Sequence, residues 1–209
     1  MDRKEEIIMA TLKLASKFGL KSVSMSMIAD EVGIKKPSLY NHFESKEQLV
    51  AEMYKFLRNK AKNKANIDFD VSKWSFSNAI SVENVLKSMV YNYITIAIED
   101  NMLMFYKLIY SERAFSENAK SIVCAETDKM INATCQIFQM MDDKKLLTFN
   151  DVYISAFSFA MTIHGLIDYL LDKGEDLKNN NSLDSVINKY IINFVKEHKV
   201  GENHEEKID

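Results

Sequence analysis

An all-α protein is predicted for this chain. Only five Gly and one Pro occur in 209 residues, too few for a sheet fold rich in tight turns. Apolar residues make up 47% of the chain, enough for a sizeable core, and they recur at helical rather than alternating spacing. The predicted organisation is an N-terminal three-helix helix-turn-helix head at residues 1–47, a long helix leading into a helical body at 48–200, and a disordered tail at 201–209.

The first helix is expected from about Arg3 to Phe18. Ile8, Leu12 and Ala15 form its apolar stripe, widened by Ile7, Leu14 and Phe18, and Gly19 ends it. Ser24 is the expected N-cap of the second helix, whose inward face is Met25, Ile28, Ala29 and Val32. Gly33 ends that helix and Ile34 plugs the turn. The third helix is expected from about Lys36 to Phe43, with Pro37 in the first turn, where no N–H partner is needed. Leu39 and Phe43 point inward, leaving Lys35, Lys36, Ser38, Asn41 and His42 outside. Lys, Ser and Asn at a helix N-terminus suit base edges, and Tyr40 and His42 suit phosphate oxygens. Ser45-Lys46-Glu47-Gln48 reads as a capping box opening a helix to about Lys64. There Lys46 and the first-turn N–H groups suit a phosphate together.

Beyond the head, Ala65 to Ser81, containing Trp74 and Phe76, reads as a linker. Helices are then expected at Asn84–Ile98, Met102–Phe115, Glu117–Met141, from Asn150 to about Asp172, and at Leu183–Lys196, with polar breaks at Asp142–Lys145 and Lys173–Asn181. The stretch Tyr153–Leu171 is apolar nearly all round, which requires partners on both sides.

The net charge of −3 is unevenly spread. Residues 1–64 hold 13 Lys/Arg against 8 Asp/Glu, and residues 65–209 hold 14 against 22, a basic head on an acidic body. A polyanion at the head is the partner this implies. Cys124 and Cys135 lie on one predicted helix roughly 16 Å apart at a rise of 1.5 Å per residue, too far to bridge, and read as buried reduced thiols. They make no zinc motif, and no cofactor is expected. The charged N-terminus has no signal-peptide character, and no run approaches 18 apolar residues, so the expectation is a cytoplasmic protein with no membrane partner. An enzyme is disfavoured. His164 and Asp168 stand i, i+4, but no nucleophile, Gly-rich phosphate loop or metal cluster accompanies them.

The string Ile7-Ile8-x-Ala10-x-Leu12-x-Leu14, Gly19, Ile28-Ala29-x-x-Val32-Gly33-Ile34, Ser38-Leu39-Tyr40-x-His42-Phe43-x-Ser45-Lys46-x-x-Leu49 resembles the DNA-binding head of the TetR family of transcriptional regulators, over about residues 5 to 53. The resemblance implies an operator contact made by Ser26, Lys35, Lys36, Pro37, Ser38, Tyr40, Asn41, His42 and Lys46. Within that set Tyr40, His42 and Lys46 would lie on phosphates, and Lys36, Pro37 and Ser38 against bases. The chain departs from the family at Ala15, often Phe; at Lys35, often a capping Ser; and at Met27, often acidic.

By the same resemblance the body is a ligand-binding and dimerisation body. Met89, Tyr93, Met102, Phe105, Tyr106, Met130, Thr134, Phe138, Phe157, Met161 and His164 are the candidate lining for a small apolar or amphipathic effector. Ile163, Ile167, Leu170, Leu171, Val186, Ile187, Tyr190, Ile191 and Phe194 are the candidate homodimer face in a four-helix bundle, with Gly165 allowing close approach. The function expected is a homodimeric repressor that an effector releases from a palindromic double-stranded DNA operator. The alternative is a structural DNA-binding or interaction protein of the same fold without an effector pocket.

Overall fold

The computed structural model describes residues 2–68, 81–175, 177 and 186–200, with backbone only for 61–68 and Asp100. Trp74, Phe76, Leu183, Asn179–Asn181 and the 201–209 tail lie outside the described residues. Among the described residues there are nine α-helices and no sheet. They are α1 (Arg3–Phe18), α2 (Met25–Val32), α3 (Lys36–Tyr40), α4 (Lys46–Asp68), α5 (Val82–Ala97), α6 (Asp100–Glu112), α7 (Glu117–Asp143), α8 (Val152–Asp172) and α9 (Val186–Glu197). A 3₁₀ turn at Leu20–Ser22 separates α1 from α2, and one isolated antiparallel bridge pairs Leu147 with Lys199.

The helix boundaries follow from local chemistry. Asp2 accepts from the Glu5 N–H at 2.8 Å, Ser24 from Met27 at 3.2 Å, Ser81 from Asn84 at 3.2 Å and Asp151 from Ile154 at 3.0 Å, so polar side chains satisfy orphan first-turn donors. Gly33 closes α2 at φ 73°, ψ 33°, the left-handed conformation that a Cβ disfavours. α3 is shorter than its sequence suggests, because the chain turns at Asn41–His42 before Phe43. α4 runs on through Asp68, so residues 65–68, read above as linker, are helical.

The chain divides into two compact units, Met1–Phe69 with Ile96–Cys124, and Asp70–Thr95 with Ala125–Asp209. The first unit thus contains α6 as well as the head. Its core joins Ile7 and Leu12 of α1, Ile28 of α2, Leu39 of α3, Leu49, Met53 and Leu57 of α4, and Met102 and Phe105 of α6, all fully buried. Phe18 departs from expectation. It lies exposed with the Lys17 ammonium 5.1 Å from its ring, while Ala15 is buried.

The second unit is centred on aromatic rings. Phe138 of α7 stacks on Phe149 at 4.9 Å, meets Phe159 of α8 edge-on at 5.3 Å and Phe194 of α9 at 5.2 Å. Offset and edge-to-face pairs at such separations add to the burial of the rings. Cys124 is exposed and Cys135 half-buried, which corrects the reading of both as buried thiols.

α8 corrects a second expectation. Its isolated Ser, Thr, His and Gly residues do not keep it below the threshold, and by length and composition it is apolar enough to cross a bilayer. A third of that apolar stretch is buried within the chain, and the half-exposed Asp168 carboxylate on the same helix would be costly in hydrocarbon.

Candidate nucleic-acid interface

The interface is built where two short helices meet. α2 is anchored by Met25, Ile28 and Ala29, and its Ala29 carbonyl accepts the Ile34 N–H at 2.9 Å, which closes the turn beyond Gly33. α3 then presents one inward residue, Leu39, fully buried. Everything else on it faces out. Lys35, Lys36, Pro37, Ser38, Tyr40 and Asn41 are exposed, as is Ser26 on α2, while His42 is half-buried. Seven of the nine residues expected at DNA are therefore exposed around one short helix, with His42 half-buried beside them. Lys35 stands at the N-cap of α3 without a side-chain cap bond, as its lack of an acceptor dictates.

The ninth residue, Lys46, is differently engaged. Its Nζ donates to the Leu20 carbonyl at 2.6 Å, with the Lys21 carbonyl at 3.5 Å, so the ammonium faces the 3₁₀ turn. Hydrogen bonds from charged groups contribute about 1.5–3 kcal/mol. The start of α4 is otherwise formed by the expected capping box. Ser45 Oγ accepts from the Gln48 N–H at 3.1 Å, and Gln48 Oε1 accepts at 2.6 Å, though from Glu44 rather than from Ser45. A hydrogen bond with its own backbone N–H and a second with Ser45 hold the exposed Glu47 carboxyl below its ordinary pKa.

The residues expected around an effector are divided between the two units. Met102, Phe105 and Tyr106 belong to the first unit, where Met102 and Phe105 are core beside Tyr54 and Leu57. Phe138 is locked in the aromatic core, and Phe157 and Met161 point outward from α8, 42% and 39% exposed. Met89 and Thr134 are buried, Met130 is half-buried, and the Thr134 hydroxyl returns to the Met130 carbonyl on its own helix at 2.9 Å. Tyr93 and His164 meet across two helices, Oη to Nδ1 at 3.1 Å, with the Asp168 carboxylate 3.6 Å from the opposite ring nitrogen. A groove of about 420 Å³ does exist, but its walls are Glu6, Met9, Lys13, Glu31, Val32 and Met104 within the first unit, none of them an expected effector residue.

The expected dimer face also needs correction. Ile163, Ile167, Leu170, Ile187, Ile191 and Phe194 are buried within their own chain, because α8 and α9 pack these sides on the aromatic core. Leu171 and Tyr190 are half-buried, and only Val186 is exposed. The open face of α8 is instead Tyr153, Ile154, Phe157, Met161 and Tyr169, beside Ser158, Thr162 and Gly165. Spacing alone does not find it, since both sides of α8 are apolar.

Helices anchored from a shared core, with a short exposed helix after a glycine turn, define a helix-turn-helix head. Residues 7–53 match the family model described as bacterial regulatory proteins, tetR family. A curated relative, the HTH-type transcriptional repressor KstR2 of Mycolicibacterium smegmatis, is 41% identical over 51 residues, 24% of this chain and 25% of that protein. The chain thus matches about a quarter of this relative's length. Whole-chain similarity comes from solved structures. A Mesorhizobium loti structure described as a TetR-family transcriptional regulator covers 96% of this chain and 100% of its own, at 20% identity and a TM-score of 0.68. The flavonoid-responsive regulator FrrA covers 93% of each chain at 20% identity and a TM-score of 0.62. The head thus matches the tetR-family model, and along its length the chain has the fold of these solved structures.

Proposed function

We propose that this chain is a cytoplasmic transcriptional repressor that binds a palindromic operator as a homodimer and leaves it when a small apolar or amphipathic effector binds the body. The observation that carries the DNA reading is the exposed set Lys35, Lys36, Pro37, Ser38, Tyr40 and Asn41 around an α3 fixed by one buried residue, Leu39. The homodimer reading is supported by the apolar outer face of α8, which presents Tyr153, Ile154, Phe157, Met161 and Tyr169 to solvent. A two-fold pair of heads suits half-sites one helical turn apart. Selection of bound DNA from a random pool tests the reading. A two-fold symmetric sequence is expected, and a pool that yields no enriched sequence would overturn it.

The effector reading is supported by the Tyr93–His164–Asp168 group, in which Tyr93 and His164 are half-buried and offer polar anchors. FrrA, of the same fold, is by name responsive to a flavonoid. In this mechanism the effector favours a state in which the start of α4 shifts and the heads separate, so that DNA and effector oppose each other by about 1–3 kcal/mol. The burial of Met102, Phe105 and Phe138 as core favours the second reading, a DNA-binding protein of the same fold without an effector pocket. Operator affinity measured against a panel of apolar and amphipathic compounds separates the two.

A further inference from the structure

We propose that the groove of the first unit is a binding site for a small amphipathic organic cation, separate from the effector site proposed for the body. Its walls come from three helices: Glu6, Met9 and Lys13 of α1, Glu31 and Val32 of α2, and Met104 of α6. All of them belong to the first unit. The volume of about 420 Å³ lies within the range of small-molecule sites. Glu6, Met9 and Lys13 follow i, i+3, i+7 on one face of α1, so the two charges stand about 10 Å apart along the axis at 1.5 Å per residue. Met9, Val32 and Met104 are half-buried. Each packs on the core and still leaves apolar surface open, which suits the apolar body of a ligand.

The charges of the groove select the head group. The Glu31 carboxylate accepts from the Lys13 ammonium at 2.7 Å, and the Glu6 carboxylate from the Arg3 guanidinium at 2.6 Å. In both pairs the cation is the more exposed partner, 69% against 32% for Lys13 and Glu31 and 52% against 37% for Arg3 and Glu6. Arg3 is no part of the wall, so two carboxylates and one ammonium line the groove. Exposed ion pairs hold weakly, and an incoming cation displaces Lys13 or Arg3 at small cost. It then gains a carboxylate that is less exposed than the cation it replaces, while its apolar part covers Met9, Val32 and Met104. An anionic ligand instead meets two carboxylates, and the one ammonium in the wall is already committed to Glu31. The site also touches the reading end of the head. Glu31 and Val32 directly precede Gly33, the turn that leads to α3, so an occupant ties the end of α2 to α1 and α6.

Three probes that share a chain and differ in head group test the site: n-octylammonium, 1-octanol and octanoate. Each is titrated, below the concentration at which it self-associates, into the full chain labelled at the Met methyl groups. Octylammonium is expected to shift the Met9 and Met104 signals saturably and to bind at least about tenfold more tightly than the other two. Lys13→Gln removes the competing cation and is expected to tighten octylammonium binding about threefold or more. Glu31→Gln removes the acceptor and leaves the Lys13 charge behind, so binding is expected to weaken about tenfold. Equal affinity for octanol or octanoate overturns the proposal, as do shifts that never saturate. Movement of Met89 and Met161 with Met9 and Met104 unmoved places the cation in the body, and this too overturns it. Where a variant fails to fold, the comparison of the three probes on the wild type decides. No DNA enters these titrations, so the site stands or falls independently of the operator reading.

Discussion

Tyr54 of α4 and Phe105 of α6 lie with ring centroids 6.2 Å apart in the core of the first unit, and the Tyr54 hydroxyl there has no hydrogen-bond partner among the described residues. A buried, unpartnered hydroxyl costs about 1–3 kcal/mol. Tyr54→Phe is therefore expected to be neutral or stabilising at pH 7 by thermal melting.

The same residue gives a pH dependence. Burial, with a smaller contribution from the Glu112 charge, raises the Tyr54 pKa to about 12. Below pH 10 both folded and unfolded chains keep the phenol neutral, and the group adds no slope. Between pH 10 and 12 the unfolded chain loses the proton while the folded chain holds it, so stability falls as pH rises, by up to about 2 kcal/mol. Denaturant unfolding of wild type and Tyr54→Phe at pH 9 and 11.5 checks this. The difference between them widens in favour of Phe at the higher pH.

Phe105→Ala separates core from pocket. As core, its truncation costs about 3–5 kcal/mol and loosens the head with it. As an effector wall it would alter ligand response at unchanged melting temperature. The first outcome is expected from its full burial.

Lys35 stands at the α3 N-cap with no acceptor to offer. Lys35→Ser supplies one and is expected to stabilise the head by about 1 kcal/mol. It also removes a cation from the DNA face, so the salt slope of operator binding falls by about 0.9 if Lys35 touches a phosphate. Melting and salt titration read these two effects independently.

How legible these features were depended on their range. Ser24, Gly33 and Ser45 act on neighbours within four residues, so their spacing alone marks the head. Lys46 was visible as a cation, but its bond to Leu20 was not, because that partner is a backbone carbonyl 26 residues away. α8 was readable as a helix with two apolar sides, yet which side faces its own core is decided by Phe138 and Phe194, on other helices. Met102 and Phe105 read as candidate pocket lining because Met and aromatic residues serve both roles, and only packing distinguishes them.

That packing assigns different outcomes to two α8 substitutions. Phe157→Glu, on the open face, is expected to dissociate the proposed homodimer with little change in the fold, as read by sedimentation equilibrium. Ile163→Ala, on the core face, is expected to cost about 2–5 kcal/mol of stability and leave association intact. A reversal would return the dimer contact to the inner face.

The central claim is that two copies of α3 read one DNA molecule about a two-fold axis. Hydroxyl-radical footprinting on the selected DNA tests it most directly. Two symmetric protected patches on one face of the duplex, centred roughly 34–36 Å apart, are the predicted result. A single patch, or protection with no two-fold symmetry, would contradict it.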